Sequence, residues 1–169
     1  YPRSFQNTLK LWKPEREALT QIRHLNALRR RLTTAQKQLT TPAKEAKKWI
    51  NKSLAKEVEK INQPAIKVIE KQIKEVNQKL NEIVQKDPQL KHLFELVTSV
   101  SGVGPILYYE LILSTKEFST ITDSKKFASY AGVAPFENSS GTSIKGKNKV
   151  SQMANKTVKN ILHMAALSV

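Results

Sequence analysis

Residues 134–149, Ala-Pro-Phe-Glu-Asn-Ser-Ser-Gly-Thr-Ser-Ile-Lys-Gly-Lys-Asn-Lys, hold the densest chemistry in the sequence. Small hydroxyl residues sit just before Gly141, and three alternate lysines follow at Lys145, Lys147 and Lys149. Lys156 and Lys159 lie beyond, and no acid occurs after Glu137. A serine that attacks a phosphodiester needs an exposed hydroxyl, a neighbour that permits close approach, and cations to stabilise the charge building on the phosphorane. The stretch meets all three needs. A Ser-Ser-Gly run is also a common plain loop, and residue chemistry alone leaves both readings open.

A second constellation is Ser101-Gly102-Val103-Gly104-Pro105, between two apolar segments. Alternate glycines allow backbone conformations closed to other residues and let an anion approach the amides of Gly102, Val103 and Gly104. Pro105 suits the first turn of the next helix, whose unpaired amides favour negative charge. This is the logic of a helix-hairpin-helix gripping a nucleic-acid backbone without reading its sequence; glycine required for tight helix packing is the alternative. His24, His92 and His163 are scattered, and Glu95, Glu110, Glu117, Asp123 and Glu137 form no set with metal-ligand spacing, so no metal site is expected in this chain. Trp12 and Trp49, with Phe118, Phe127 and Tyr130, read as packing residues.

Charge points the same way as these motifs. The 169 residues carry 29 Lys plus Arg against 14 Asp plus Glu, a net +15, and most of the excess lies early: residues 1–92 hold 21 basic and 9 acidic side chains. Such an imbalance favours a phosphate-rich partner. Cysteine is absent, which excludes disulfides and thiolate chemistry. No apolar run is long enough for a membrane helix, and no signal-peptide pattern opens the chain. Tyr1 in place of Met suggests a piece of a longer protein.

The elements that must position these motifs read as all-α. Residues 1–13 look like a connector, 14–87 like basic coiled-coil arms, and 88–169 like a separate C-terminal domain. Leu25, Leu28, Leu32, Ala35 and Leu39 alternate steps of three and four, a heptad seam. Thr40-Thr41-Pro42 is expected to end that helix, because a residue before proline is pushed out of helical geometry. Trp49, Ile50, Leu54, Val58 and Ile61 form a face of the next helix, which Pro64 should kink or restart. Ile66, Ile69, Ile73, Val76, Leu80 and Ile83 continue the spacing to Asp87-Pro88. The arms fit a hairpin within one chain or pairing between chains, and the thinness of such a hairpin tilts the expectation towards a homodimer or higher oligomer. Beyond Pro88 the spacing predicts helices over about 89–99 and 106–113, and a third capped by Asp123 or Thr122 and stopped by Gly132. An irregular stretch over about 133–150 is expected to lack a fixed fold when no polyanion is bound, because like-signed lysines and glycines dominate it. A last helix runs over 151–168 with Met153, Val158, Ile161, Leu162, Ala165 and Ala166 facing inward.

LVTSVSGVGPILYYELIL, followed by FASYAGVAPFENSSGTSIKGKNKVSQMANKTVKNILHMAAL, closely resembles the C-terminal domain of the insertion-sequence family 110 transposases, relatives of the Piv and MooV DNA invertases. The resemblance covers about residues 90–169, and the arms look like the family's coiled-coil segment. It implies a serine nucleophile in a Pro-x-x-x-x-Ser-Gly context. That context fits Pro135 and Ser140-Gly141, making Ser140 the implied nucleophile and Ser139 the alternative. It also implies DNA as substrate, cut-and-join recombination through a serine–DNA intermediate, dimers or tetramers, a structured guide RNA, and a cytoplasmic, nucleoid-associated bacterial protein. Lys145, Lys147, Lys149, Lys156 and Lys159 are assigned to phosphate contacts. Family members carry an N-terminal RuvC-like domain whose four acids bind Mg²⁺. No such domain occurs here, so this fragment alone is expected to bind DNA without cutting it. Two other classes remain open: a non-enzymatic helix-hairpin-helix binding module and a purely structural coiled-coil scaffold.

Overall fold

The first two helices are the arms. α1 spans Glu17–Trp49 and α2 spans Lys52–Lys86, 33 and 35 residues, each about 50 Å long at the helical rise. The structure, a computed structural model, describes residues 14–49, 52–140 and 144–169, without the side chains of 43–49 and 137–146. Arg29 Nε donates to Asn77 Oδ1 and Gln36 Nε2 to Glu70 Oε1, both at 3.0 Å. Rising numbers on α1 therefore meet falling numbers on α2, and the arms pair antiparallel within one chain.

Two expectations for the arms need correcting. The helix does not end at Thr40-Thr41-Pro42 but runs on to Trp49, and α2 continues through Pro64 without restarting. The hydroxyls of Thr33, Thr34 and Thr40 donate to carbonyls four residues back at 2.9, 3.0 and 2.9 Å. Those threonines join the helical ladder instead of competing with it. The face expected inward from Leu54, Val58 and Ile61 is also open to solvent; α2 is turned so that Ala55 is buried there. Nearer the root the pattern holds, with Ile66, Val76 and Leu80 buried, and Val84 added one turn on.

At the root the arms meet α3 (Pro88–Thr98) and α4 (Pro105–Thr115). Asp87 caps α3 by accepting the amides of Gln89 and Leu90, and Pro88 opens it where an N–H is not needed. One buried cluster joins Leu19 and Ile22 of α1, Val76, Leu80 and Val84 of α2, Leu90 of α3, and Tyr108, Tyr109 and Ile112 of α4. Residues on both sides of Pro88 thus share one core. Tyr108 anchors it: its hydroxyl donates to Leu90 O at 2.7 Å, and its ring meets Phe94 edge-on at 5.0 Å. Arg16 pairs with both Asp87 and Glu117, tying the start of α1 to the α2–α3 junction and to the turn after α4. That turn holds Lys116, Glu117 and Phe118 at positive φ. Thr115 steadies it, its hydroxyl accepting the Phe118 amide at 3.0 Å.

The remainder is helical except for one ribbon. α5 (Ser124–Ala131) is capped by Asp123 and stopped by Gly132 at φ 68°. β1 (Phe136–Ser140) and β2 (Ile144–Lys149) form an antiparallel pair, and α6 (Lys156–Leu167) closes the chain. The all-α class stands, with paired strands where an irregular stretch was expected. Nothing apolar alternates along FENSS or IKGKNK, so period-2 patterning could not announce them. α6 also begins later than expected, behind an Asn155 cap. Met153 precedes it and is 97% exposed, Ala166 is exposed, and Val158 alone among the expected inward set is buried.

Candidate nucleic-acid interface

The serine-bearing stretch is held at its root by Asn155. The Asn155 amide donates to Tyr130 O and its side chain to the Tyr130 hydroxyl, both at 2.9 Å. The same side chain accepts the amides of Thr157 and Val158, starting α6. Gly132 lets the chain cross here, since a Cβ at that position would collide with Ala154 Cβ. Both ends of residues 132–154 are thereby fixed to α5 and α6, with the ribbon between.

Pairing along the ribbon sets Ser140 opposite Ile144, Ser139 opposite Lys145, Asn138 opposite Gly146 and Phe136 opposite Lys149. From Asn138 to Phe136 β1 advances two residues, whereas β2 advances three, which is a bulge. Directly opposed residues share a face of an antiparallel ribbon. By register Ser140 shares its face with Asn138, Phe136 and Lys149, and Ser139 shares the other with Lys145. The alternate lysines that look equivalent in sequence are therefore split between two faces, and only the bulge brings Lys149 to the Ser140 side. The Ser139, Ser140 and Lys145 side chains lie outside the described residues, as does Gly141. Lys147, Lys149 and Lys156 are exposed and Lys159 is half-buried.

The glycine turn differs from its expected use at one position. Gly102 has φ 78°, and a Cβ there would come within 2.6 Å of Ala165 O and 2.7 Å of Val169 Cγ2. Its open side is filled by the end of α6, so close packing demands this glycine. Gly104 lies at φ −101° with nothing within 4 Å of a built Cβ, and it caps α4 ahead of Pro105. Val103 N donates back to Val100 O at 3.0 Å, closing the turn. α6 thus runs between two motifs that the sequence shows far apart, its start at the ribbon and its end on the glycine turn.

Sequence reasoning missed a cleft beside the ribbon. Lys126, Ser129, Tyr130, Phe136 and Met153 line an open space of about 580 Å³. Tyr130, assigned to the core by its type, is instead partly exposed on this cleft. Residues distant in sequence meet there, so no local pattern could have shown it. A divalent metal finds no donor set among the described residues: no three His, Cys, Asp or Glu come together. No described helix is long and apolar enough to cross a membrane.

Residues 94–169 match the model of the Transposase IS116/IS110/IS902 family. Over 82 residues, 48% of the chain, the sequence is 30% identical to the pilin gene-inverting protein of Moraxella bovis and 29% identical to that of Moraxella lacunata. The matched stretch is 26% of each relative's length, so the chain corresponds to about a quarter of those proteins.

Proposed function

Starting from residues 94–169 as an IS116/IS110/IS902-type transposase domain, we propose that this chain is the part of a DNA recombinase that presents a serine nucleophile and grips the DNA backbone. The Ser140 hydroxyl attacks a phosphodiester phosphorus. One phosphorus–sugar oxygen bond breaks, the serine proton passes to a base, and the departing sugar oxygen takes up a proton. The phosphodiester energy is kept in the serine–phosphate bond, so rejoining to a new strand needs no external energy source. Lys149 and Lys147, with Lys145 beside the loop, and Lys156 and Lys159 at the start of α6, stabilise phosphate charge. The open amides at Gly104 and the first turn of α4 hold a neighbouring phosphate. Gly102 and Val103 set the shape of that turn. DNA rearrangement is what the name of the Moraxella proteins describes for them.

The observation that supports this reading is the residue pattern, Pro135 and Ser140-Gly141 followed by three alternate lysines, on an antiparallel ribbon that pairs Ser140 with Ile144 and Ser139 with Lys145. The Mg²⁺ that the resemblance implies does not fit the described acids, and no step here runs through it. On this proposal the metal ligands come from elsewhere in the longer recombinase, and the 169 residues by themselves should bind DNA without cutting it. Oligomers form through the arms, where Leu54, Val58, Ile61 and Val68 stand exposed in one row on α2. A guide RNA shares the basic surface of those arms.

The test is made in the longer recombinase that contains this segment. Ser140→Ala should reduce recombination of element DNA to background and abolish the protein–DNA adduct trapped under denaturing conditions; Ser139→Ala should keep both. Recombination by Ser140→Ala would leave a binding module in place of an enzyme.

A further inference from the structure

The cleft at the ribbon's root combines three properties. It is aromatic, since Phe136 is 50% exposed and Tyr130 forms its neighbouring wall. It is preorganised: the Tyr130 hydroxyl is held by Asn155 at 2.9 Å and its ring lies 6.2 Å from that of Phe127. It is cationic at its edge, with Lys126 in the lining, Lys149 opposite Phe136 on β2, and no acid among the lining residues. Met153, almost wholly exposed, offers a polarisable apolar side. The Ser151 hydroxyl accepts the Met153 amide at 3.2 Å and keeps its proton to donate, and Ser129 adds a second hydroxyl.

A flat apolar slot with hydroxyl donors and a lysine rim fits a nucleobase taken out of its stack, with the phosphates on either side held by the lysines. Lysine at the rim with no acid among the lining residues favours a polyanionic strand as occupant. We infer that this cleft binds one unstacked nucleobase of the DNA strand, stacked on Phe136, a few nucleotides from the phosphate that Ser140 attacks. The distance follows from the ribbon: four residue steps from Phe136 to Ser140 span about 13 Å. This inference rests on the recombinase reading for its substrate, but on separate residues for its evidence. Base capture fixes the strand along its own axis, which backbone contacts alone cannot do, because every phosphate looks alike to a lysine.

The experiment measures binding of the full chain to a labelled single-stranded oligodeoxythymidine of about a dozen nucleotides. It is repeated with the same strand carrying abasic sites at its centre. Removing the bases should weaken binding about tenfold. Phe136→Ala should cause the same loss on the intact strand and no further loss on the abasic one, and Phe136→Trp should restore binding. Phe136 is half-exposed, so these variants are expected to fold, and matching thermal melts verify it. Equal weakening of both strands by Phe136→Ala, or of neither, overturns the inference, as does tighter base-dependent binding to oligouridine than to the DNA strand. If Ser140→Ala still recombines in the longer protein while base dependence holds, the serine reading alone fails; if base dependence is absent while Ser140→Ala is dead, this inference alone fails.

Discussion

Gly102 and Gly104 are two positions apart in one turn and carry opposite requirements. A methyl group at Gly102 would press on Ala165 O and adopt a left-handed φ, whereas one at Gly104 would meet open space at an ordinary φ. Gly102→Ala should therefore cost roughly 1–3 kcal/mol of stability, and Gly104→Ala close to nothing. Thermal melts of the two variants compare them directly, and equal melting points would contradict the packing seen at α6. The alternation of glycines was legible in the sequence; which glycine serves packing was not, because the end of α6 lies more than sixty residues away. The same limit applies at the lysines. Their spacing was plain, but a bulge is a property of two strands, and no count along one of them reveals it. Tyr130 and Met153 were misplaced for a related reason: residue type predicts average burial, while a cleft is made by whichever neighbours fail to cover it.

Among elements, the root of the arms carries a polar contact inside an apolar seam. Leu19, Ile22 and Asn26 follow one another on the inward face of α1, and Asn26 donates to Glu110 of α4 at 2.9 Å. Arg30 lies 3.5 Å from the same carboxylate, while the Asn26 carbonyl oxygen has no partner among the described residues. Removing one member strands the other. Glu110→Ala should lose about 1–3 kcal/mol in urea denaturation, and the double variant Asn26→Leu/Glu110→Leu should recover much of that loss. A double variant as unstable as the single one would show that the pair matters for more than mutual satisfaction. Further along α2, Pro64 lies in a continuous helix and is exposed. Pro64→Ala should raise stability, by up to about 3 kcal/mol, because the missing amide and the ring clash are both relieved. The helices themselves were readable from period and caps. Their extents were misread at Pro42 because pairing along the arms outweighs one local break. α6 was misread at its start because Asn155 is recognisable as a cap only once its contact with Tyr130 is seen.

At the scale of the molecule, charge should govern the proposed DNA binding, and a few acids the pH response. Each phosphate contact on duplex DNA adds about 0.9 to the slope of log affinity against log salt. The double variant Lys147→Ala/Lys149→Ala should lower that slope by about 2 in a salt titration, and an unchanged slope would remove both lysines from the interface. Two carboxyls at the root pull in opposite directions. The hydrogen bond from Arg23 holds Glu15 below the usual glutamate range, whereas burial pushes Glu117 up against the opposing pull of Arg16. Stability from Glu15 is present above the ordinary glutamate value and is lost as pH falls through its lowered one. Glu117 does the reverse, the fold favouring its protonated form as pH falls. Glu15→Gln should thus melt lower than the parent near neutrality, with the gap closing on acidification; a gap that widened would reverse the sign assigned to Arg23. The broad architecture, arms then motif-bearing helices, was visible from periodicity and charge, since both are written locally. The shared core across Pro88 was not, because burial depends on which surfaces finally meet.

Arg16 grips two acids from separate segments at the base of a pair of rods about 50 Å long. Leverage follows from that proportion. A pivot of about 10° at the guanidinium would sweep the far tips through roughly 9 Å, several times the displacement of any atom near the fulcrum. The buried cluster that joins both arms to α3 and α4 lies at the same fulcrum, so the stiffness of that root decides how far such a swing can go.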